Sequence, residues 1–303
     1  MSLRHFLSLD DLGGDGIERV IKRAIAMKTA PRPTPATGFP LAGQTLAMVF
    51  EKASTRTRVS FEAGMTRFGG HAIFLSPQDT QMGRGEPVED TARVLSRMCD
   101  AVMIRNHSHA MLARFAEYAS VPVINGLTDL LHPCQLLADI QTFVEHRGSM
   151  RGATVAWIGD GNNMCHSYLN AARLLDFTLN IAAPPGYAPD ANIFKAAGRN
   201  ARLCDNAADA VAGADLVVTD VWASMGDEDD RDRRLADFAD FQVNAQLMAQ
   251  ANDDALFMHC LPAHRGEEVS ADVIDGSQSV LWDEAENRLH AQMALVMDLL
   301  AID

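Results

Sequence analysis

The sequence predicts an α/β fold of two doubly wound parallel-sheet domains joined by interdomain helices. Three observations carry that expectation. Apolar runs of strand length alternate with stretches of helical periodicity, an order that favours parallel strands with helices on both faces. The pattern runs once, stops at the segment Gly148 to Gly152, and starts again. The chain has 303 residues, a length for about two domains.

The elements follow in order. Ile17, Val20, Ile21, Ala24 and Ile25 repeat at helical spacing over Gly16 to Met27, with Arg and Lys on the other face. Pro31, Pro33, Pro35 and Pro40 then enforce an irregular connection. Gln44 to Phe50 reads as a buried strand. Ser54 caps a helix whose apolar face includes Phe61, Met65 and Phe68, and Gly69-Gly70 ends it. His71 to Leu75, Ala101 to Ile104 and Val121 to Ile124 read as further strands, and Pro133 to Glu145 as a helix leading out of the first half. In the second half the strands are Thr154 to Ile158, Thr178 to Ala182, Leu216 to Thr219 and Leu256 to His259. Helices Ser167 to Leu175 and Asn244 to Ala251 lie between them, and a long helix, Glu284 to Leu300, follows. The expected domains are 1–147 and 148–285, with the C-terminal helix 286–303 packing back onto the first.

Composition narrows the function classes. The chain is 48% hydrophobic and 22% charged, an ordinary globular balance. Its net charge of -14 disfavours nucleic acid and anionic membrane surfaces as partners. An anionic substrate must therefore be held by a local cluster of cations. Cys99, Cys134, Cys165, Cys204 and Cys260 form no C-x-x-C pair, which fits a reduced compartment without a disulfide framework or zinc site. Met1 to Asp11 lacks the basic-then-apolar order of a signal peptide, so a cytoplasmic location is expected.

The segment Ser54-Thr55-Arg56-Thr57-Arg58 carries chemistry. A helix start presents unpaired N–H groups and partial positive charge. Arginines placed there cost about 0.3–1 kcal/mol each at an exposed site, and a bound anion reverses that sign. Three hydroxyls and two guanidinium forks complete a phosphate cradle at a strand-to-helix turn. The local pattern alone also accommodates a capped surface helix with solvated arginines. The glycines of a nucleotide-triphosphate loop are absent.

The run Phe50 to Arg58 resembles the carbamoyl phosphate motif of aspartate and ornithine carbamoyltransferases. In the expected order, His132-Pro133-Cys134-Gln135 resembles the family's H-P-x-Q element, Asp220 to Gly226 the D-x-W-x-S-M-G loop of the ornithine branch, and His259-Cys260-Leu261-Pro262 its H-C-L-P element. Gly159 to Asn163 and Glu284 to Arg288 are weaker matches. The resemblance implies two α/β domains, one for each substrate, in a homotrimer whose shared active sites take a loop from the neighbour. The matching loop is Ser76 to Gly85, with Gln81 as the reaching residue.

The implied reaction is attack of an uncharged amine on the carbonyl carbon of carbamoyl phosphate. With L-ornithine as acceptor, the products are L-citrulline and phosphate. No redox step occurs, so no cofactor and no metal are expected. By the resemblance, Ser54, Thr55, Arg56 and Thr57 hold the phosphate. Thr57, Arg105 and His132 polarise the carbonyl, and Gln135 binds the carbamoyl amino group. Cys260 and the Leu261 carbonyl lie near the reacting amine, and Arg288 helps at the carbonyl end. Asn163, Asp220, Ser224 and Met225 hold ornithine. Taken singly, Arg105, His132, Cys260 and Arg288 each have a bland reading: a solvated charge, a structural histidine, an inert thiol and a surface ion pair. The charged run Asp227 to Arg234 is either a solvated loop or a lid hinged at Gly226.

A dinucleotide-binding dehydrogenase is the rival from another enzyme class. Gly159-Asp160-Gly161 follows a strand, but Met164 stands where the third glycine belongs, and Ile181-Ala182-Ala183 offers no acidic residue for a ribose. Within the family, an N-acylated ornithine is the alternative acceptor.

Overall fold

Runs of aliphatic residues bounded by turn formers become parallel strands, and they do so twice. The computed structural model describes residues 4–78, 80, 85–223 and 230–302. By packing, the chain divides into one unit of Met1–Gln141 with Ala285–Asp303 and a second of Thr142–Glu284.

In the first unit a 3-10 turn, Leu9–Asp11, leads into α1 (Gly13–Thr29). Then come β1 (Thr45–Phe50), α2 (Thr55–Arg67), β2 (His71–Leu75), α3 (Val88–Leu95), β3 (Ala101–Arg105), α4 (His109–Tyr118), β4 (Val123–Leu127) and the start of α5 (Pro133–Arg147). The strands run parallel in the order β2-β1-β3-β4. Ala47, Val49, Val102 and Ile104 pack with Leu112 and Phe115 of α4, so β1 and β3 read as continuous apolar runs rather than alternating ones. β2, at the edge, is half exposed. The chain crosses over between β1 and β3, and the carboxyl ends of these two strands form a topological switch point.

The second unit repeats the logic. It contains β5 (Thr154–Ile158), α6 (Asn163–Leu175), β6 (Thr178–Ala182), α7 (Ala191–Ala197), β7 (Ala201–Leu203), α8 (Ala207–Val211), β8 (Leu216–Thr219), α9 (Arg231–Asp237), α10 (Ala245–Met248), β9 (Leu256–His259), α11 (Ala271–Ile274) and the start of α12 (Leu281–Leu299). Its parallel order is β7-β6-β5-β8-β9, with the switch point between β5 and β8. Ala156, Ile158, Val217 and Phe257 pack on one face with Val243, Val273 and Ile274.

The structure differs from the expected elements in four instructive places. β4 starts at Val123 rather than Val121 because Pro122 has no N–H for the ladder. It continues through Asn125, whose Nδ2 donates to the Leu7 carbonyl at 2.9 Å. β7, a three-residue edge strand, was not anticipated. α6 begins four residues earlier than Ser167, at Asn163. The expected boundary at 147/148 also differs from the packing division, which falls at 141/142, inside α5. Gly148, at φ +86°, does stop that helix in the left-handed conformation that favours glycine. The helix itself, however, carries residues of both units.

The second division falls between Glu284 and Ala285, inside α12. The later part of α12 belongs to the first unit. There Met293 presses on Gly64 of α2, where an added Cβ would lie 2.8 Å from the Met293 sulfur. Asp298 pairs with Arg4 at 3.1 Å and Arg19 at 2.8 Å. Among the described residues no helix is long and apolar enough to cross a membrane.

Candidate active site

The first unit gathers its polar side chains at the β1–β3 switch point. Ser54 is the N-cap of α2: its Oγ accepts from the Thr57 N–H at 3.2 Å and donates to Thr57 Oγ1 at 3.1 Å. Thr57 is thereby buried at the helix start, while Thr55 is exposed and Arg56 half-buried. Arg105 is the last residue of β3, in register with Phe50 of β1, and is 6% exposed. His132, just before α5, is equally buried.

Arg288 of α12 ties these elements together. One guanidinium nitrogen donates to Thr57 Oγ1 at 2.8 Å and another to Gln135 Oε1. Gln135 in turn donates to Asp139 at 2.9 Å. Arg288 is only 2% exposed, which excludes the surface ion pair that the sequence left open. Burial, and then the cations Arg288, Arg105 and Arg56, push the His132 imidazole well below its ordinary value. His132 is therefore neutral at physiological pH, set among arginines in a chain of net charge -14. Arg58 does not join them. It pairs with Glu62 at 2.9 Å and lies over the Phe74 ring at 3.7 Å, so the second arginine of the motif packs on the helix flank.

The second unit sets a carboxylate at its own switch point. Asp220 follows β8 and Cys260 follows β9, and the register Thr219↔His259 brings the two side by side. Cys260 Sγ donates to Asp220 Oδ1 at 3.2 Å, and the Val221 N–H donates to the same oxygen at 2.8 Å. Asp220 Oδ2 accepts from the Asn162 side-chain amide at 2.8 Å. Asn163, the residue expected here, opens α6, and its carbonyl accepts from Ser167 Oγ at 2.7 Å. Asn162 was missed because α6 was expected to start at Ser167, which hid the cap position.

Leu261 has φ +57°, a strained value for leucine, and His259 holds it. The Leu261 N–H donates to His259 Nδ1 at 2.9 Å, and His259 Nε2 lies 3.1 Å from the Glu268 carboxylate. These bonds assign the proton to Nε2. Arg234, only 9% exposed, donates to the Trp222 carbonyl and to Asp160, and lies over Tyr187 and Phe238. It thereby pins the loop after β5 to the residues after β8. Asp220, His259 and Cys260, and likewise His264, Glu267 and Glu268, offer possible metal-ligand atoms within 4.8 Å of one another. Asp220, His259 and Cys260 are engaged in the pairs just given, and in the second cluster Glu267 accepts from Arg231 while Glu268 accepts from the His264 N–H at 2.6 Å. Gln81, Ser224, Met225, Gly226 (the candidate hinge) and residues 227–229 lie outside the described residues; 231–234 form the start of α9.

A fold with cations at one switch point and a buried carboxylate at the other defines an α/β protein equipped for an anionic and a cationic ligand. Residues 4–145 match the carbamoyl-P binding domain of aspartate/ornithine carbamoyltransferase, and residues 151–299 match its Asp/Orn binding domain. The chain belongs to the aspartate/ornithine carbamoyltransferase family. It is 63% identical over 300 residues to an ornithine carbamoyltransferase of Nitrosococcus oceani, covering 99% of this chain and 98% of that one. It is 60% identical over 296 residues to the anabolic ornithine carbamoyltransferase of Pseudomonas aeruginosa, covering 98% and 97%. The crystal structure of ornithine carbamoyltransferase from Burkholderia thailandensis superposes with a TM-score of 0.90 at 53% identity, covering 98% of this chain and 99% of that one.

Proposed function

We propose that this protein transfers the carbamoyl group of carbamoyl phosphate to the side-chain amine of L-ornithine, giving L-citrulline and phosphate in arginine biosynthesis. The observation that carries the reading is the full-length identity to ornithine carbamoyltransferases, which includes an anabolic one.

The uncharged amine attacks the carbonyl carbon, the C–N bond forms, the C–O bond to phosphate breaks, and the proton lost from the nitrogen leaves with the phosphate. Negative charge grows on the carbonyl oxygen and then on the leaving phosphate, and prearranged donors lower the barrier by meeting it there. In this reading Ser54, Thr55, Arg56 and Thr57 hold the phosphate, joined by Gln81 from a neighbouring subunit. Arg105, His132 and Arg288 face the carbonyl oxygen, and Gln135 takes the carbamoyl amino group. Neutral His132 suits this role, because its N–H polarises the oxygen without adding a charge that would hold the product phosphate. Asp220 receives the substrate ammonium. Cys260 and the Leu261 carbonyl stand near the reacting amine, and Asn163, Ser224 and Met225 fix the amino-acid end. The local arginines overcome the repulsion that the chain's negative charge exerts on carbamoyl phosphate. We further propose a cytoplasmic homotrimer.

The test supplies carbamoyl phosphate with ornithine, acylornithines, putrescine or aspartate and assays ureido products. Citrulline from ornithine is expected; its absence sinks the reading, and product only from an acylornithine moves the acceptor. Arg56→Ala is expected to weaken carbamoyl phosphate about 10- to 100-fold with the fold intact. Sedimentation analysis tests the trimer.

A further inference from the structure

We infer that Asn162 is a positioning residue for the acceptor carboxylate Asp220, an inference that rests on the proposed role of Asp220 in binding ornithine. The two faces of the Asn162 amide do different work. Its Oδ1 accepts from the backbone N–H groups of Met164 at 2.9 Å and Cys165 at 3.3 Å, capping α6. Its Nδ2 donates to Asp220 Oδ2 at 2.8 Å. The orientation is forced. A flipped amide would set an NH2 group against two N–H donors and a carbonyl oxygen against a carboxylate. The helix cap therefore fixes the direction of the donor.

Asp220 needs that donor. Its Oδ1 is held by the Val221 N–H and the Cys260 thiol, while Asn162 alone holds Oδ2 among the described residues. Asp220 is 8% exposed. A buried carboxylate with one oxygen released turns about its side-chain torsion and loses its aim. Serine and aspartate cap a helix about as well as asparagine. Neither supplies an amide donor at this reach, and aspartate adds a second negative charge. The position thus asks for a cap and a donor in one side chain.

That separation makes the test. Asn162→Ser, Asn162→Asp, Asn162→Ala and Asp220→Asn are compared with the parent enzyme by Tm and by KM and kcat for each substrate. Asn162→Ser is expected to keep the parent Tm and the carbamoyl phosphate KM while raising the ornithine KM about tenfold or more. Asn162→Asp is expected to raise it further, and Asn162→Ala to lower Tm as well. An unchanged ornithine KM in Asn162→Ser, with Asp220→Asn impaired, overturns the inference and leaves the role of Asp220 standing. Unchanged ornithine KM in both variants removes the role of Asp220 and this inference with it. A fall in Tm in Asn162→Ser equal to that in Asn162→Ala, with both substrates affected alike, reduces Asn162 to a cap and also overturns it.

Discussion

His132 and Arg288 show how much single residues gain from their surroundings. The unfolded chain's imidazole takes up a proton near the ordinary value of 6.5, whereas in the native site His132 stays neutral well below it. Between those two values the unfolded state binds more protons, so the stability His132 contributes is present above 6.5 and is lost as pH falls through that window. Lowering the pH from about 7.5 to about 5.5 is expected to reduce the urea midpoint, and His132→Asn to flatten that decline. Parallel declines in both proteins would refute the assignment. Arg288→Met strips Thr57 and Gln135 of a shared donor. Carbamoyl phosphate affinity is expected to fall about 10- to 100-fold in calorimetric titration. Ser54, Thr57 and Gln135 were legible in the sequence because they stand in short motifs beside a helix start. The joining of Thr57 to Gln135 by Arg288 was not, because the residues lie 231 and 153 positions apart in the chain. Periodicity does not reach so far.

At the scale of elements, the loops after β5 and β8 hold the proposed acceptor cluster. Gly161 lies so close to the 188–189 segment that a Cβ would stand 2.2 Å from the Pro189 nitrogen. Backbone cannot yield as a flexible side chain can, so Gly161→Ala is expected to cost about 1–3 kcal/mol in thermal denaturation and to raise the ornithine KM. Arg234→Lys keeps a charge but loses the fork that reaches both Trp222 and Asp160. An ornithine KM higher by about tenfold is expected, with the carbamoyl phosphate KM unchanged. The central strands were readable from sequence because burial on both faces leaves them unbroken apolar runs, as in β3 and β8. β7 was not, because its three residues Ala201-Arg202-Leu203 are largely exposed at the sheet edge. The first turn of α6 was obscured for another reason: it opens on polar Asn163 and includes polar His166, whose Nε2 accepts from the Asp190 N–H at 2.9 Å.

For the whole molecule, α12 is the element on which the first unit depends. Met293, Leu295, Val296 and Met297 are buried in it, each worth about 1.5–3 kcal/mol. Their sum rivals the roughly 5–15 kcal/mol by which a domain is stable. A chain shortened after Glu284 is expected to lose cooperative unfolding of the first unit, as read by circular dichroism in a urea titration. Retained cooperativity would show that the packing of α12 is dispensable. The bond from Arg288 to Thr57 has a consequence for the order of events during synthesis. Ser54 to Thr57 leave the ribosome early and can form their capped helix start at once. The guanidinium that joins Thr57 to Gln135 follows more than two hundred residues later. In the proposed reading, a growing chain therefore cannot recruit carbamoyl phosphate at full strength to steady its first half. With Arg288 in the role proposed for it, the substrate would act as a folding ligand at full strength only after α12 has been made, and the early sheet would hold itself together largely without it.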